Sequence, residues 1–148
     1  MQDTRELFQI FVRRFGLINA DCCNCCCGEE ISLVQSHIIY EIKRRKNISM
    51  QQVAEALGVD ITTFSRQIST LEKKGLVNKT PDPEDKRVNI LSLTEKGDTL
   101  EKKIDTRMRE FIEKILTQMT DFERELVVKS IQLLNKAILN SGGCCITK

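Results

Sequence analysis

The feature that most limits how this chain can fold is a change of hydrophobic period at Gly75. Before it, two short patterns repeat at three- and four-residue steps; after it, apolar and polar residues alternate. Ser49-Met50-Gln51-Gln52 has the residues of a capping box and opens a short helix with Val53, Ala54 and Leu57 on its inner side, ended by Gly58. Asp60 or Thr62 caps the next helix, which runs through Lys74 with Phe64, Ile68 and Leu71 inward, and Gly75 ends it. Residues 76–80 and 87–93 then read as two strands. They flank Pro81-Asp82-Pro83-Glu84-Asp85-Lys86, which holds both prolines of the chain, where a ladder can spare their missing donors. Two capped helices in close succession, then a hairpin, make the pattern of a winged helix-turn-helix, whose second helix enters the DNA major groove.

The outer face of that second helix fits the same use. Its candidate DNA-reading positions are Thr62, Thr63, Ser65, Arg66, Gln67 and Ser69. These are compact donors and acceptors, with one Arg able to bind guanine bidentately and one Gln suited to adenine. A face serving only solubility would more often carry Glu and Lys, and the first two turns contain neither.

The flanks are helical. Leu7, Phe8, Phe11, Phe15 and Ile18 mark a helix over residues 3–19, with Asp3 and Glu6 as a capping box, and Leu33, Ile38, Ile39 and Ile42 mark another from about Ser32 to Arg45. His37, the only histidine, falls on the inner half of that second helix and reads as a core residue. Beyond Thr94 a stripe from Leu100 to Met119 predicts a long helix, and Thr120-Asp121-Phe122-Glu123 opens a last one carrying Leu126, Val127, Ile131, Leu134 and Ile138. The expected fold is mainly α with a small β-hairpin wing. Residues 1–148 form a single chain in which 47–93 are the winged helix-turn-helix. Residues 3–46 and 98–140 supply helices for dimerisation and support. Their apolar surface exceeds what one small winged-helix core can bury, and a second copy is the simplest cover.

Charge agrees without deciding. The net charge is +2, but residues 41–87 hold 10 basic and 7 acidic side chains, so the basic excess lies in the expected DNA-reading segment. Four consecutive cations, Lys43-Arg44-Arg45-Lys46, sit at a helix C-terminus, where the helix dipole alone accounts for them. No apolar run is long enough to span a membrane, and charges interrupt the N-terminal apolar stretch, so a soluble, cytoplasmic chain is expected.

At this point the chain resembles the MarR family of winged-helix regulators. The residues that carry the likeness are Val53-Ala54-Glu55-Ala56-Leu57-Gly58-Val59, Thr63-Phe64-Ser65-Arg66 and Leu71-Glu72-Lys73-Lys74-Gly75-Leu76-Val77. Asp82-Pro83-Glu84-Asp85-Lys86-Arg87 is similar to the family's wing, and Leu93-Thr94-Glu95-Lys96-Gly97 to its entry into the long helix. The resemblance spans residues 5–140. It implies a homodimer on a pseudo-palindromic operator in double-stranded DNA, usually a repressor released by a ligand or by oxidation. It also implies that Arg87, beside Lys86, reaches the minor groove while Asp85 holds it. Glu84 departs from the pattern, since many members carry a base there.

The cysteines are the chain's own peculiarity. Cys22, Cys23, Cys25, Cys26 and Cys27 crowd five thiols into six residues between the first two helices, and Cys144 with Cys145 lies near the C-terminus. Cys22/Cys25 and Cys23/Cys26 have the spacing at which two thiolates meet on one ion. Thiolate-only sites take zinc, Cu(I), trivalent metalloids such as arsenite, or an iron–sulfur cluster, and Cys144 or Cys145 could complete the set. Metal-free disulfide chemistry of the same thiols is the competing use. The chain contains neither a Ser/His/Asp constellation nor a glycine-rich phosphate loop, so no enzyme is expected. The rival reading from another class is a thiol metal carrier or thiol enzyme on a winged-helix scaffold.

Overall fold

The computed structural model describes the backbone of residues 3–24 and 30–141 and the side chains of residues 3–16 and 30–141. Six helices and three strands follow in the order α1 (Thr4–Asn24), α2 (Leu33–Arg44), β1 (Ile48–Ser49), α3 (Met50–Leu57), α4 (Ile61–Lys73), β2 (Val77–Pro81), β3 (Asn89–Leu93), α5 (Glu95–Leu116) and α6 (Asp121–Asn140). The chain divides into two compact units, residues 1–108 and 109–148, with the border inside α5. Among the described residues no helix is long and apolar enough to cross a membrane.

The Ser49 and Thr120 boxes form where the sequence places them, Ser32 adds a box that the sequence reading did not name, and Asp3 accepts the Arg5 amide at 3.2 Å instead of forming a box with Glu6. Ser32, Ser49 and Thr120 each accept the amide of the residue three on, and Gln35, Gln52 and Glu123 reach back to the capping amide. Each such box satisfies two backbone donors that a helix start leaves open. Gly58 and Gly75 end α3 and α4 with φ of +62° and +68°, a region where a Cβ is strained.

The core lies in the first unit. Ile38, Ile39 and Ile42 of α2, Val53 and Ala54 of α3, and Phe64, Ile68 and Leu71 of α4 are buried together with Ile31, Ile48, Leu76, Val77, Leu91 and Leu100. The residues of α2, α3 and α4 are ones that the helical period assigns inward, whereas Ile31 and Ile48 join the core from outside those stripes and the expected Leu33 and Leu57 are only half-buried. Gly97 on α5 is buried because no larger residue fits: a Cβ there would stand 2.0 Å from the Leu76 carbonyl oxygen. Thr94 fastens the same joint, its hydroxyl donating to the Gly75 carbonyl at 2.6 Å and accepting from the Gly97 amide at 2.9 Å.

The sheet has the order β1-β3-β2, all antiparallel, with Ile48 opposite Leu91 and Thr80 opposite Ile90. Pro81 closes β2 opposite Asn89 on an edge strand, the place where a missing donor is tolerated. β1 goes beyond the sequence reading, because two residues are too few to display an alternation. Three further differences matter. α1 runs to Asn24 rather than residue 19, since neither Gly nor Pro interrupts residues 17–24, so Cys22 and Cys23 lie in its last turn and not in a loop. β3 starts at Asn89, leaving Arg87 and Val88 in the wing tip. His37 is exposed rather than in the core, because it precedes Ile38 by one residue and so turns about 100° away from the inner stripe.

In the second unit α6 has no buried residue. Phe122, Leu126, Ile131, Leu134 and Ile138 are exposed in the single chain. On α1, Leu7, Phe8, Phe11 and Phe15 are exposed likewise, with the rings of Phe11 and Phe15 stacked at 5.7 Å.

Candidate nucleic-acid interface

α4 is presented by the α3–α4 turn. The Val59 amide donates to the Ala54 carbonyl at 3.0 Å across the left-handed Gly58, and Asp60 then starts α4. Asp60 Oδ1 accepts the amides of Thr62 and Thr63 at 3.1 and 3.0 Å. The Thr63 hydroxyl, followed by these amides and the nearby Arg66 charge, holds the Asp60 carboxyl below its ordinary value. Asp60, of the two caps the sequence allowed, is the one used.

With Phe64, Ile68 and Leu71 locked into the core, the opposite face of α4 is left to solvent. A shallow open groove runs along it, lined by Ile61, Thr62, Ser65, Arg66, Ser69, Thr70 and Lys73. Four of the expected DNA-reading residues therefore share one surface: Thr62, Ser65, Arg66 and Ser69. Thr63 is exposed beside it, engaged in the cap. Gln67 is placed differently. It is half-buried, and its Oε1 accepts from Gln35 Nε2 at 3.0 Å, tying α4 to the first turn of α2. Ile61, Thr70 and Lys73 complete the groove and were missed, although their spacing from Ser65, Ser69 and Arg66 is that of one helical face.

The wing tip is shaped by aspartates. Asp82 Oδ1 accepts the amides of Glu84 and Asp85 at 2.7 and 3.2 Å, and the Asp82 amide donates to the Val88 carbonyl at 2.8 Å. Asp85 Oδ1 accepts both the Arg87 amide at 3.0 Å and its side-chain Nε at 3.2 Å. The Arg87 side chain is nonetheless 92% exposed. An ion pair that exposed adds little to stability; its effect is to aim the guanidinium outward while leaving its terminal nitrogens open to another acceptor. Lys86 is exposed next to it.

Two contacts brace α4 from behind. Besides the Gln35–Gln67 amide pair, Lys74 at the α4 C-cap donates its Nζ to the Glu30 carbonyl. Both run to residues 30–35, the stretch that follows the cysteine run. Of the cysteines, Cys22 and Cys23 lie in the last turn of α1, whereas Cys25, Cys26, Cys27, Cys144 and Cys145 lie outside the described residues. Among the described residues no group of three or more His, Cys, Asp or Glu side chains could hold a metal ion.

Comparison with known proteins bears on the same segment. Residues 31–88 match the model of the MarR family. The uncharacterized HTH-type transcriptional regulator YxaD of Bacillus subtilis is 33% identical over 91 residues, a match covering 62% of this chain and 64% of that protein. The crystal structure of Streptococcus pneumoniae FabT in complex with DNA superposes with a TM-score of 0.84 at 23% identity, over 92% of this chain and 95% of that one. A MarR transcriptional regulator from Methanosarcina mazei superposes with a TM-score of 0.78 at 23% identity, over 94% and 99%. At these identities the two structures speak for the fold, and the family model speaks for residues 31–88. Residues 31–88 thus match the MarR family model, and along nearly its whole length the chain has a winged-helix fold similar to those of FabT and the Methanosarcina mazei regulator.

Proposed function

We propose that the chain is a dimeric, non-enzymatic transcription regulator, a repressor in its resting state, that binds a pseudo-palindromic operator in cytoplasmic double-stranded DNA. The observation that carries the reading is Arg66 in a groove of small polar side chains on the exposed face of α4, paired with an outward Arg87 aimed by Asp85. Thr62, Ser65, Arg66 and Ser69 face base edges in the major groove; Lys86 and Arg87 approach the backbone and the adjacent minor groove. The exposed apolar faces of α1 and α6 support the homodimer, since surface of that extent is rarely left to water. Selection of binding sites from randomised duplexes tests the reading. Enrichment of two inverted half-sites about one helical turn apart is expected, and no enrichment over input would end it.

The effector proposed for this regulator acts at Cys22, Cys23, Cys25, Cys26 and Cys27, with Cys144 or Cys145 as further thiolates. A zinc ion, a trivalent metalloid or an iron–sulfur cluster fits a donor set made only of sulfur, and oxidation of the thiols is the metal-free variant of the same switch. Support comes from the thiol density, and from the braces that join residues 30–35 to α4. Replacing the five cysteines by serine and measuring operator binding with Zn(II), As(III) or mild oxidant separates the outcomes. Loss of every response with DNA binding intact supports the switch, and unchanged responses exclude it.

A further inference from the structure

Ile61 stands apart from the rest of the winged helix. Within residues 47–93, all of them described, it is the one large apolar side chain left exposed, with 51% of its surface open. Every other Ile, Leu, Val, Phe or Met of that stretch is buried or half-buried. Nor is Ile61 a stray on an otherwise solvated face. It is the first residue of α4, one and two turns before Ser65 and Ser69, and it lines the same groove as Thr62, Arg66 and those two serines. The serines are too small to cover it, so its methyl groups border the groove beside polar donors.

Exposure of such a side chain is unfavourable in the free protein, as burying it in an apolar contact would stabilise by the usual area-dependent term. The core does not need it, since Phe64, Ile68 and Leu71 already fill the inner face of α4. DNA offers one complementary group in the major groove, the C5-methyl of thymine. Recognition helices present their N-terminal residues to base edges, which is where Ile61 sits.

We infer that Ile61 is a specificity-determining residue that packs on a thymine methyl next to the base read by Arg66. The inference rests on the proposed DNA-binding reading and adds to it a base identity at one operator position. Hydrogen bonds from Thr62 and Ser65 tolerate several acceptors, whereas an apolar contact to a methyl separates thymine from cytosine and from uracil.

The test uses the full-length chain and an operator obtained by selection from randomised duplexes. Each thymine is replaced in turn by uracil, which removes only the methyl, and binding is measured for the wild type and for Ile61→Ala. One replacement is expected to weaken the wild type about fourfold, the equivalent of one methyl-sized group buried, while leaving Ile61→Ala unaffected. All other replacements should act equally on both proteins. Ile61→Val, which keeps part of the contact, should fall between. Because Ile61 is exposed, thermal melting of the variants should match the wild type, which keeps a binding change from being mistaken for unfolding. If the variant and the wild type respond alike to every thymine-to-uracil replacement, the assignment of Ile61 fails while DNA recognition by α4 stands. If selection yields no preferred sequence at all, the DNA-binding reading itself fails, and the inference with it.

Discussion

In the proposed DNA-binding mode, Arg66 and Arg87 divide the interface by what an arginine can recognise. Arg66 stands among short side chains, so its planar fork can approach a base edge, and Arg66→Ala should cost about 1–3 kcal/mol of operator binding and relax one position. Arg87 is aimed by Asp85, and Arg87→Ala should weaken binding most where the flanking minor groove is narrow and A·T-rich. Asp85→Ala should produce a smaller loss of the same kind, since it frees the guanidinium without removing it. Fluorescence anisotropy on operators with A·T-rich and G·C-rich flanks checks both. Gly97 matters for a different reason. Its missing Cβ lets α5 touch the Leu76 backbone, so Gly97→Ala should destabilise by about 1–3 kcal/mol through forced displacement. Chemical denaturation measures that loss, and an unchanged midpoint would mean that α5 can shift freely.

At the level of elements, the winged helix was legible because its signals are local. Ser49, Gln52, Gly58, Asp60 and Gly75 each act on the backbone within a turn of themselves, and every one ends or starts an element where expected. Phe64, Ile68 and Leu71 needed only their spacing. What escaped depends on partners distant in sequence. β1 exists because Ile48 meets Leu91, and Gln67 turns inward because Gln35 lies across from it; no local pattern encodes either meeting. The length of α1 was missed because cysteine ranks low among helix formers, so residues 20–24 display no helical signal of their own. The Asp60 cap gives α4 a definite response to acid. Its folded carboxyl titrates below the ordinary 3.8, mainly through the Thr63 hydroxyl, so its contribution is complete at neutral pH. That contribution is lost as the pH falls below 3.8 and passes through the lower folded value. Asp60→Asn keeps a capping oxygen without the charge, so its melting temperature should change less than that of the wild type over the same acid range. Parallel profiles would show that other carboxylates govern acid unfolding.

For the whole molecule, the surplus of apolar surface is the main fact to be explained. Leu126 and Leu134 are 53% and 37% exposed in the single chain, on a helix with nothing buried. Leu126→Glu with Leu134→Glu should yield a folded monomer by sedimentation, with operator affinity greatly reduced because two half-sites need two linked copies of α4. A doubly substituted dimer of normal affinity would place the subunit contact elsewhere. The cysteine run belongs to this scale as well. It begins in the last turn of α1, whose Leu7, Phe8, Phe11 and Phe15 are exposed, and precedes residues 30–35, which brace α4. In the proposed switch, a change of a few kcal/mol between two arrangements of that connection would be enough to move operator occupancy by about tenfold or more.

The central claim is that α4 and the wing together read a specific DNA sequence. Its most direct test is an anisotropy titration of the full-length chain with the selected operator and with a shuffled duplex of equal length and composition, at several salt concentrations. One dimer per operator is expected, bound at least about 10³-fold more tightly than the shuffled duplex, with affinity falling linearly in log–log form as salt rises. Equal affinity for the two duplexes at every salt concentration would contradict it.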